Sequence, residues 1–291
     1  MKKIPQTLLY RLRAALQTFS PAEKRVAMTL IADYPITGLK TLVEIANAAG
    51  VSPATVSRFA ETLGFLGFPD FQRALHEDVA ARFSSPGLQF DKTPERSADS
   101  GRPHATAKAL GKLVTQTVAS VERRDVELLI EKLTDPKRTV YFLGGRHSGS
   151  LARYFQQQLH HLRSRTVLFD SVNADAIDAL IEFDTRSVLI AFDFRRYQHD
   201  TTRFTAAASA RRAHVAVFTD PYMSPAVKHA SQVFLCRTAT TSPFDSYASG
   251  LALIDFLTQE LATAFGETGH ERVSKLESVR EEFGLEYVLR K

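Results

Sequence analysis

The chain has 291 residues, 44% of them hydrophobic and 24% charged, with a net charge of +5; that is long enough for two domains, each with its own core, and the composition is that of a soluble globular protein. One cysteine, Cys236, excludes an internal disulfide and any multi-cysteine metal site, and no apolar run approaches the roughly 20 residues that span a bilayer. The N-terminal lysines lead into no continuous apolar segment of the signal-peptide kind, so a cytoplasmic protein with neither metal nor cofactor is expected, and its mild positive charge suits a polyanionic partner.

Residues 1–83 read as all-helical. From Ile4 to Phe19, Leu8, Leu12, Ala15, Leu16 and Phe19 recur at helical spacing. Ser20-Pro21-Ala22-Glu23 is a capping box that opens a helix through Val26, Leu30 and Ile31, ending near Tyr34-Pro35. Thr41 and Glu44 form a second capping box, after which Leu42, Ile45 and Ala46 share one face. Gly50 tolerates the left-handed backbone of a turn, and Val51 plugs the angle behind it. Ser52 then caps another helix with Pro53 at its first position, Val56, Phe59, Ala60 and Leu63 on its buried face, and Gly64 at its end.

Two short helices joined by a tight turn are the grammar of a helix-turn-helix. The early residues of its second helix meet base edges in the major groove. Ser52, Ala54, Thr55, Ser57, Arg58 and Glu61 lie off the core face. Hydroxyls donate or accept there, a guanidinium forks onto a guanine or holds a phosphate, and the Ala54 methyl meets a thymine methyl. The candidate DNA-binding residues are therefore Thr41, Ser52, Pro53, Ala54, Thr55, Ser57 and Arg58. The bland alternative is a helical hairpin with a polar outer face. Over residues 40–76, Lys40, Arg58 and Arg73 balance Glu44, Glu61 and Asp70, so the motif itself is neutral. Excess positive charge lies upstream, in Lys2, Lys3, Arg11, Arg13, Lys24 and Arg25, as flanking phosphate contacts or as a solvated helix face.

A further helix, Asp70 to Phe83, places Phe71, Leu75 and Val79 on one face. Residues 84–103 then lose periodicity and are dominated by Ser, Pro, Gly and charge, which marks a linker. A helix from about His104 to Val121 follows. From Thr139 the period changes: TVYFLGG, RTVLFD, RSVLIAFD, HVAVFTD and SQVFLC are short, nearly continuous apolar runs, with amphipathic stretches at 148–163, 173–182, 199–212 and 224–230. Strands buried on both faces and alternating with helices indicate a five-stranded parallel sheet in a three-layer α/β domain over 104–270, with ligands beyond the carboxyl ends of the strands. Cys236 closes one apolar run and reads as a packed strand residue rather than a nucleophile. A long helix from about Phe244 to Phe265 packs on the sheet. A helical tail, 271–291, carries Val273, Leu276, Val279 and Phe283 on a stripe that suits either a partner subunit or its own domain.

Residues 41–71, above all IANAAGVSPATVSRFAETLGFLGFPDF, closely resemble the helix-turn-helix of the RpiR/MurR family of bacterial transcriptional regulators. The second half resembles the sugar-isomerase (SIS) domain that this family carries, with YFLGGRHSGSLA, SVLIAFDFRRYQHDT and VAVFTDPYMSPAVKHASQVFLC in matching order. The resemblance implies a ligand-controlled DNA-binding protein, most often a repressor. It also implies a homodimer or homotetramer on a pseudo-palindromic operator, with a small anionic effector in the SIS domain. The first SIS loop of the family reads Gly-x-Gly-x-Ser. Here Gly144-Gly145-Arg146-His147-Ser148 has Arg146 at the second glycine. A strand-end loop feeding a helix presents free N–H groups to an anion, to which Ser148 adds a hydroxyl.

Where phosphosugar binders carry Ser-x-Ser/Thr-Gly, this chain has Asp193, Phe194, Arg195 and Arg196, then Tyr197. A carboxylate repels an adjacent phosphate, while two arginines offer bidentate contacts to a carboxylate or phosphate. The effector expected is a small polar acid, amino- or carboxyl-bearing, rather than a simple phosphosugar; an internal Asp193–Arg195 ion pair is the alternative. Ser242, Ser246 and Asp245 rim the pocket, or Ser246 or Ser242 is a plain cap of the following helix. The candidate effector residues are Gly145, Arg146, His147, Ser148, Asp193, Arg195, Arg196, Tyr197 and Ser242. Two other readings stand beside the regulator. One is a sugar-phosphate isomerase, for which His147 is the available base. The other is a regulator whose SIS domain has lost its ligand and serves only oligomerisation.

Overall fold

The computed structural model describes residues 7–32, 34–82, 103–240 and 242–284. The chain folds as two compact units. The N-terminal one is all-helical: α1 (Leu8–Ala14), α2 (Pro21–Ala32), a 3-10 turn (Thr37–Leu39), α3 (Leu42–Ala49), α4 (Pro53–Thr62) and α5 (Phe68–Arg82). Leu8, Leu12, Val26, Leu30, Ile45, Val56, Phe59, Phe71 and Leu75 meet in one core. Phe59 of α4 lies between Phe19 and Phe71, with ring centroids at 5.2 and 6.4 Å. Such tilted aromatic contacts add to the burial of apolar area and fix how far α4 turns its other face outward. Most of the linker, residues 84–102, and Lys2, Lys3 and Phe83 lie outside the described residues.

The second unit is a three-layer α/β domain. Its elements are α6 (Pro103–Val118), α7 (Arg123–Thr134), β1 (Thr139–Gly144), α8 (Gly149–Leu162), β2 (Thr166–Phe169), α9 (Ala174–Asp178), β3 (Ser187–Phe192), α10 (His199–Ala210), β4 (His214–Thr219), β5 (Gln232–Leu235) and α11 (Ala248–Glu282). All pairings are parallel, in the order β2-β1-β3-β4-β5. Alternate residues of each strand point to opposite faces. Val140, Phe142, Val188, Ile190, Phe192, Phe218 and Phe234 join one core with Leu151, Phe155 and Leu159 of α8 and Leu253, Ile254, Leu257 and Leu261 of α11. Phe192, Phe218 and Phe234 stack across three neighbouring strands at 4.6 and 4.7 Å. On the other face, Tyr141 stacks on Phe183 at 4.2 Å, and Phe183 meets Phe204 of α10 at 5.9 Å. Cys236 is fully buried beyond β5, and burial pushes its thiol pKa well up, consistent with a packing residue.

Several elements differ from the sequence expectation: α1 ends at Ala14, with turns rather than helix over residues 15–19, and α7 was not anticipated. The last long helix begins at Ala248 rather than Phe244, because residues 242–247 form a loop. Ser246 N–H donates to Thr238 O at 2.9 Å, and the Ser246 hydroxyl accepts the Ala248 N–H at 3.3 Å. The helix then runs on to Glu282 through Gly266, whose φ of 50° and ψ of −128° break the helical geometry. The expected separate tail is thus, as far as Glu282, the continuation of α11. The stretch 224–230 forms only a 3-10 turn, Pro225–His229.

Candidate functional sites

The helix-turn-helix is built from its caps. Thr41 Oγ1 accepts the Glu44 N–H at 3.3 Å while Glu44 Oε2 accepts the Thr41 N–H at 2.9 Å. Gly50 ends α3 at φ 62°, and Val51 N–H reaches back to Ala46 O at 3.0 Å, closing the turn. Ser52 caps α4: its Oγ accepts the Thr55 N–H at 3.3 Å and lies 2.9 Å from Thr55 Oγ1. Val56, Phe59, Ala60 and Leu63 are buried, whereas Thr41, Ser52, Pro53, Ala54 and Arg58 are exposed and Thr55 and Ser57 half-exposed. The start of α4 therefore leaves Ser52, Pro53, Ala54 and Arg58 accessible, with Thr55 and Ser57 partly so, while Thr41 belongs to the start of α3. Arg58 makes no ion pair among the described residues, and its charge helps hold the Glu23 carboxyl below its ordinary pKa, behind hydrogen bonds from Ser20 and Thr62.

Of the upstream cations, Arg11 is committed internally. Its guanidinium donates to Leu63 O, at the end of α4, and lies 4.4 Å over the Phe65 ring. Arg13 is half-buried, and burial lowers its pKa. Arg25 is exposed on α2.

In the second unit, Gly144 at the end of β1 pairs with Phe192 at the end of β3. From these two strands the chain continues to opposite sides of the sheet, so their carboxyl ends flank the topological switch point where α/β sheets bind ligands. A cavity of about 220 Å³ opens there, lined by Gly145, Arg146, His147, Ser148, Asp193, Phe194, Arg195, Arg196, Gln198 and Tyr247. The helix α8 approaches β1 so closely that a methyl on Gly144 would lie 2.6 Å from the Gly149 backbone. Only glycine fits there, and this brings the N-terminal end of α8 to the cavity floor.

Most of the expected effector residues meet at this cavity, but several are already engaged. Ser148 is buried; its hydroxyl donates to Phe192 O at 2.7 Å and accepts the Gly145 N–H at 2.8 Å. It closes the loop, and its proton is not available to an anion as the sequence suggested. The internal Asp193–Arg195 ion pair that stood as the alternative is not formed, and Arg195 pairs elsewhere. Arg195 binds Asp245, with Nε–H donating to Oδ2 at 3.0 Å and a terminal N–H to Oδ1. Asp193 is instead held by the Ser224 hydroxyl and, at 3.4 Å, by the Gln198 N–H. Desolvation pushes its pKa up to about 7, and the neighbouring Asp220 and Asp200 add to the rise. Asp220, itself buried, accepts the Arg195 N–H at 2.6 Å and the Tyr197 hydroxyl at 2.8 Å. Tyr197 thereby faces Asp220 and does not line the cavity. Ser242 does not line it either; its hydroxyl accepts the Phe244 N–H at 3.1 Å within its own loop.

What the cavity offers a ligand is therefore the exposed side chains of Arg146, His147 and Arg196, with Phe194 and Tyr247 as an aromatic wall at 5.3 Å centroid separation. Among the described residues neither Arg146 nor Arg196 has a carboxylate within 4 Å. Tyr247 is pushed up to about 12 by burial, with Asp245 adding to the rise and Arg196 opposing it. Gln198, Tyr247, Ser224 and Asp220 are neighbours of the cavity that sequence reasoning missed. Of these only Asp220, a carboxylate closing an apolar strand, carried a local signal.

Comparison with known proteins agrees with both halves. Residues 6–82 match the helix-turn-helix domain of the rpiR family, and residues 132–259 match the SIS domain. An uncharacterized HTH-type transcriptional regulator of Haemophilus influenzae is 21% identical over 229 residues, 78% of this chain and 79% of that protein. Among solved structures, the Vibrio vulnificus NanR protein complexed with ManNAc-6P superposes with a TM-score of 0.55 at 18% identity, over 95% of this chain and 98% of that one. The sugar isomerase domain of an RpiR transcription factor from Sphaerobacter thermophilus gives 0.57 at 19% identity, over 60% and 98%. With its capped helix-turn-helix ahead of a five-stranded SIS sheet, the chain belongs to the RpiR family of transcriptional regulators.

Proposed function

We propose that this regulator's hold on DNA is controlled by a small anionic metabolite bound in the SIS cavity. The observation that carries this reading is the pair of exposed guanidiniums, Arg146 and Arg196, without carboxylate partners among the described residues, at the switch point of the sheet. Guanidinium binds carboxylate and phosphate oxygens through two parallel hydrogen bonds. The ligand classes that fit are sugar phosphates, sugar acids and amino or carboxylic acids. NanR, complexed with ManNAc-6P, makes the first a natural comparison. The loss of the paired hydroxyls that grip a phosphate, with Asp193 engaged internally, favours the carboxylic and amino acids.

On the DNA side, Ser52 to Arg58 read bases, with Thr41 and Pro53 at the edge of the contact surface. A homodimer or homotetramer would present two such helices to the half-sites of a pseudo-palindromic operator, in the cytoplasm, with repression as the output. The effector acts by favouring one placement of the two reading heads, and DNA must in turn change effector affinity by the same factor. A regulator fits the cavity better than an isomerase: His147 is exposed, and Asp193 spends its carboxylate on Ser224 and Gln198 rather than on a substrate proton.

The test has two steps. A thermal-shift panel of sugar phosphates, sugar acids, amino acids and carboxylic acids finds the ligand class. DNA selected from a genomic pool is then titrated with and without the hits. A ligand that stabilises the protein and changes its operator affinity supports the reading. Stabilisation by sugar phosphates alone would remove the preference for carboxylic and amino acids. Turnover of an aldose or ketose phosphate, or operator binding indifferent to every stabilising ligand, would overturn the reading itself.

A further inference from the structure

Gln198 bridges the two loops that form the cavity. Its backbone N–H donates to Asp193 Oδ1 at 3.4 Å, and its side-chain Oε1 accepts the Arg146 N–H. A methyl on Gly145 would stand 2.5 Å from that same Oε1, so the oxygen is seated on the backbone and glycine makes the room. Gln198 is also the N-cap residue of α10, yet its side chain makes no cap bond; it reaches across the cavity instead. The N–H it takes belongs to a strand-to-helix loop, where free N–H groups and the helix dipole favour an anionic oxygen. The next N–H groups, of His147 and Ser148, have no acceptor among the described residues.

We propose that the Gln198 carboxamide is a tethered competitor for the effector's anionic group. Its oxygen holds the N–H that a phosphate or carboxylate oxygen takes on binding, and the ligand must expel it. This rests on the reading of the cavity as an effector site. The competitor supplies selectivity for charge. A neutral hydroxyl forms a hydrogen bond no stronger than the amide's and gains nothing by displacing it, whereas charge-assisted hydrogen bonds are roughly twice as strong. Gln198 therefore acts as a specificity-determining residue that keeps uncharged sugars out while leaving Asp193 and α10 in place.

The experiment titrates the full chain with inorganic phosphate, and with glucose as the neutral control, following the thermal shift. Wild type is compared with Gln198→Ala, Gln198→Asn, Gln198→Glu and Arg196→Ala. Asn keeps the amide but is one methylene too short to reach the Arg146 N–H, so it separates the competitor from general effects of truncation. Both Ala and Asn are expected to bind phosphate about three- to tenfold more tightly, the equivalent of one competing hydrogen bond, and to discriminate less against glucose. Glu, a charged competitor, is expected to weaken phosphate more than about tenfold, and Arg196→Ala to weaken it in every background. Phosphate binding by wild type that Ala and Asn leave unchanged or weaken would overturn the competitor while leaving the effector site standing. Binding indifferent to Arg196→Ala lies elsewhere and counts against the proposal. Absence of phosphate binding in every form would overturn phosphate recognition here and the competitor with it.

Discussion

The Arg195 guanidinium closes on the Asp245 carboxylate through two hydrogen bonds, with the two side chains only 9% and 20% exposed. This pair ties the loop after β3 to the loop before α11, residues far apart in sequence, and so sets the mouth of the cavity. It also decides which arginine is left for a ligand. Arg195 is spent; Arg196, at φ 66°, turns its side chain into solvent. Removing one partner of a largely buried pair leaves an uncompensated charge. Asp245→Ala should therefore destabilise the SIS unit by about 2–4 kcal/mol in urea unfolding, and Asp245→Asn, which keeps a neutral acceptor, by less. Equal stability of all three proteins would show that the pair shapes nothing.

Asp193 gives a pH signature. Desolvation holds its pKa at about 7 in the folded chain, above the usual carboxylate value. The folded state thus keeps a proton that the unfolded state loses, and stability falls as pH rises from about 4 to 7. Asp193→Asn cannot lose that proton. Relative to the variant, wild type should lose up to about 4 kcal/mol between pH 4 and pH 8, with Asp220 and Asp200, unchanged in both, cancelling to first order. Parallel stability curves across that range would mean that the carboxylate is relieved by a partner or by water.

The helix-turn-helix was legible in the sequence because its determinants are local. The Thr41–Glu44 box, Gly50, Ser52 and Pro53 each act within four residues, and the structure forms each of these caps as expected. The strand order was accessible in class but not in detail, since apolar runs reveal parallel burial and not neighbours. The cavity was half-legible. Its loops follow from strand ends, but which groups remain free there depends on contacts such as Gln198 to Arg146 or Arg195 to Asp245, 52 and 50 residues apart. No spacing rule carries those. Ser148 shows the same limit, because a hydroxyl placed for an anion in the sequence is taken up by the Phe192 carbonyl.

Arg58 stands exposed on the outer face of α4 without an ion pair among the described residues. If it reads a base, Arg58→Ala should cost about 1–3 kcal/mol on the specific operator and relax preference at one position. A uniform loss across all sequences, with a smaller salt slope, would make it a phosphate contact. No change in either would remove α4 from the groove.

Arg11 and Arg25 are both upstream cations, and the structure separates them. Arg11 donates to Leu63 O and lies over Phe65, satisfying a carbonyl that the end of α4 leaves unpaired and adding a cation–π contact. Arg11→Met keeps the aliphatic stem but loses both. It should lower the stability of the helical unit by about 1–2 kcal/mol and leave the salt dependence of DNA binding nearly untouched. Arg25→Ala, on the exposed face of α2, should leave stability unchanged. If it meets a phosphate, it should reduce the slope of log affinity against log salt by about 1. Fluorescence anisotropy on an operator duplex at several salt concentrations, run beside urea unfolding, distinguishes the two. A reduced salt slope for Arg11→Met without loss of stability would return Arg11 to the DNA surface and take away its role as the cap of α4.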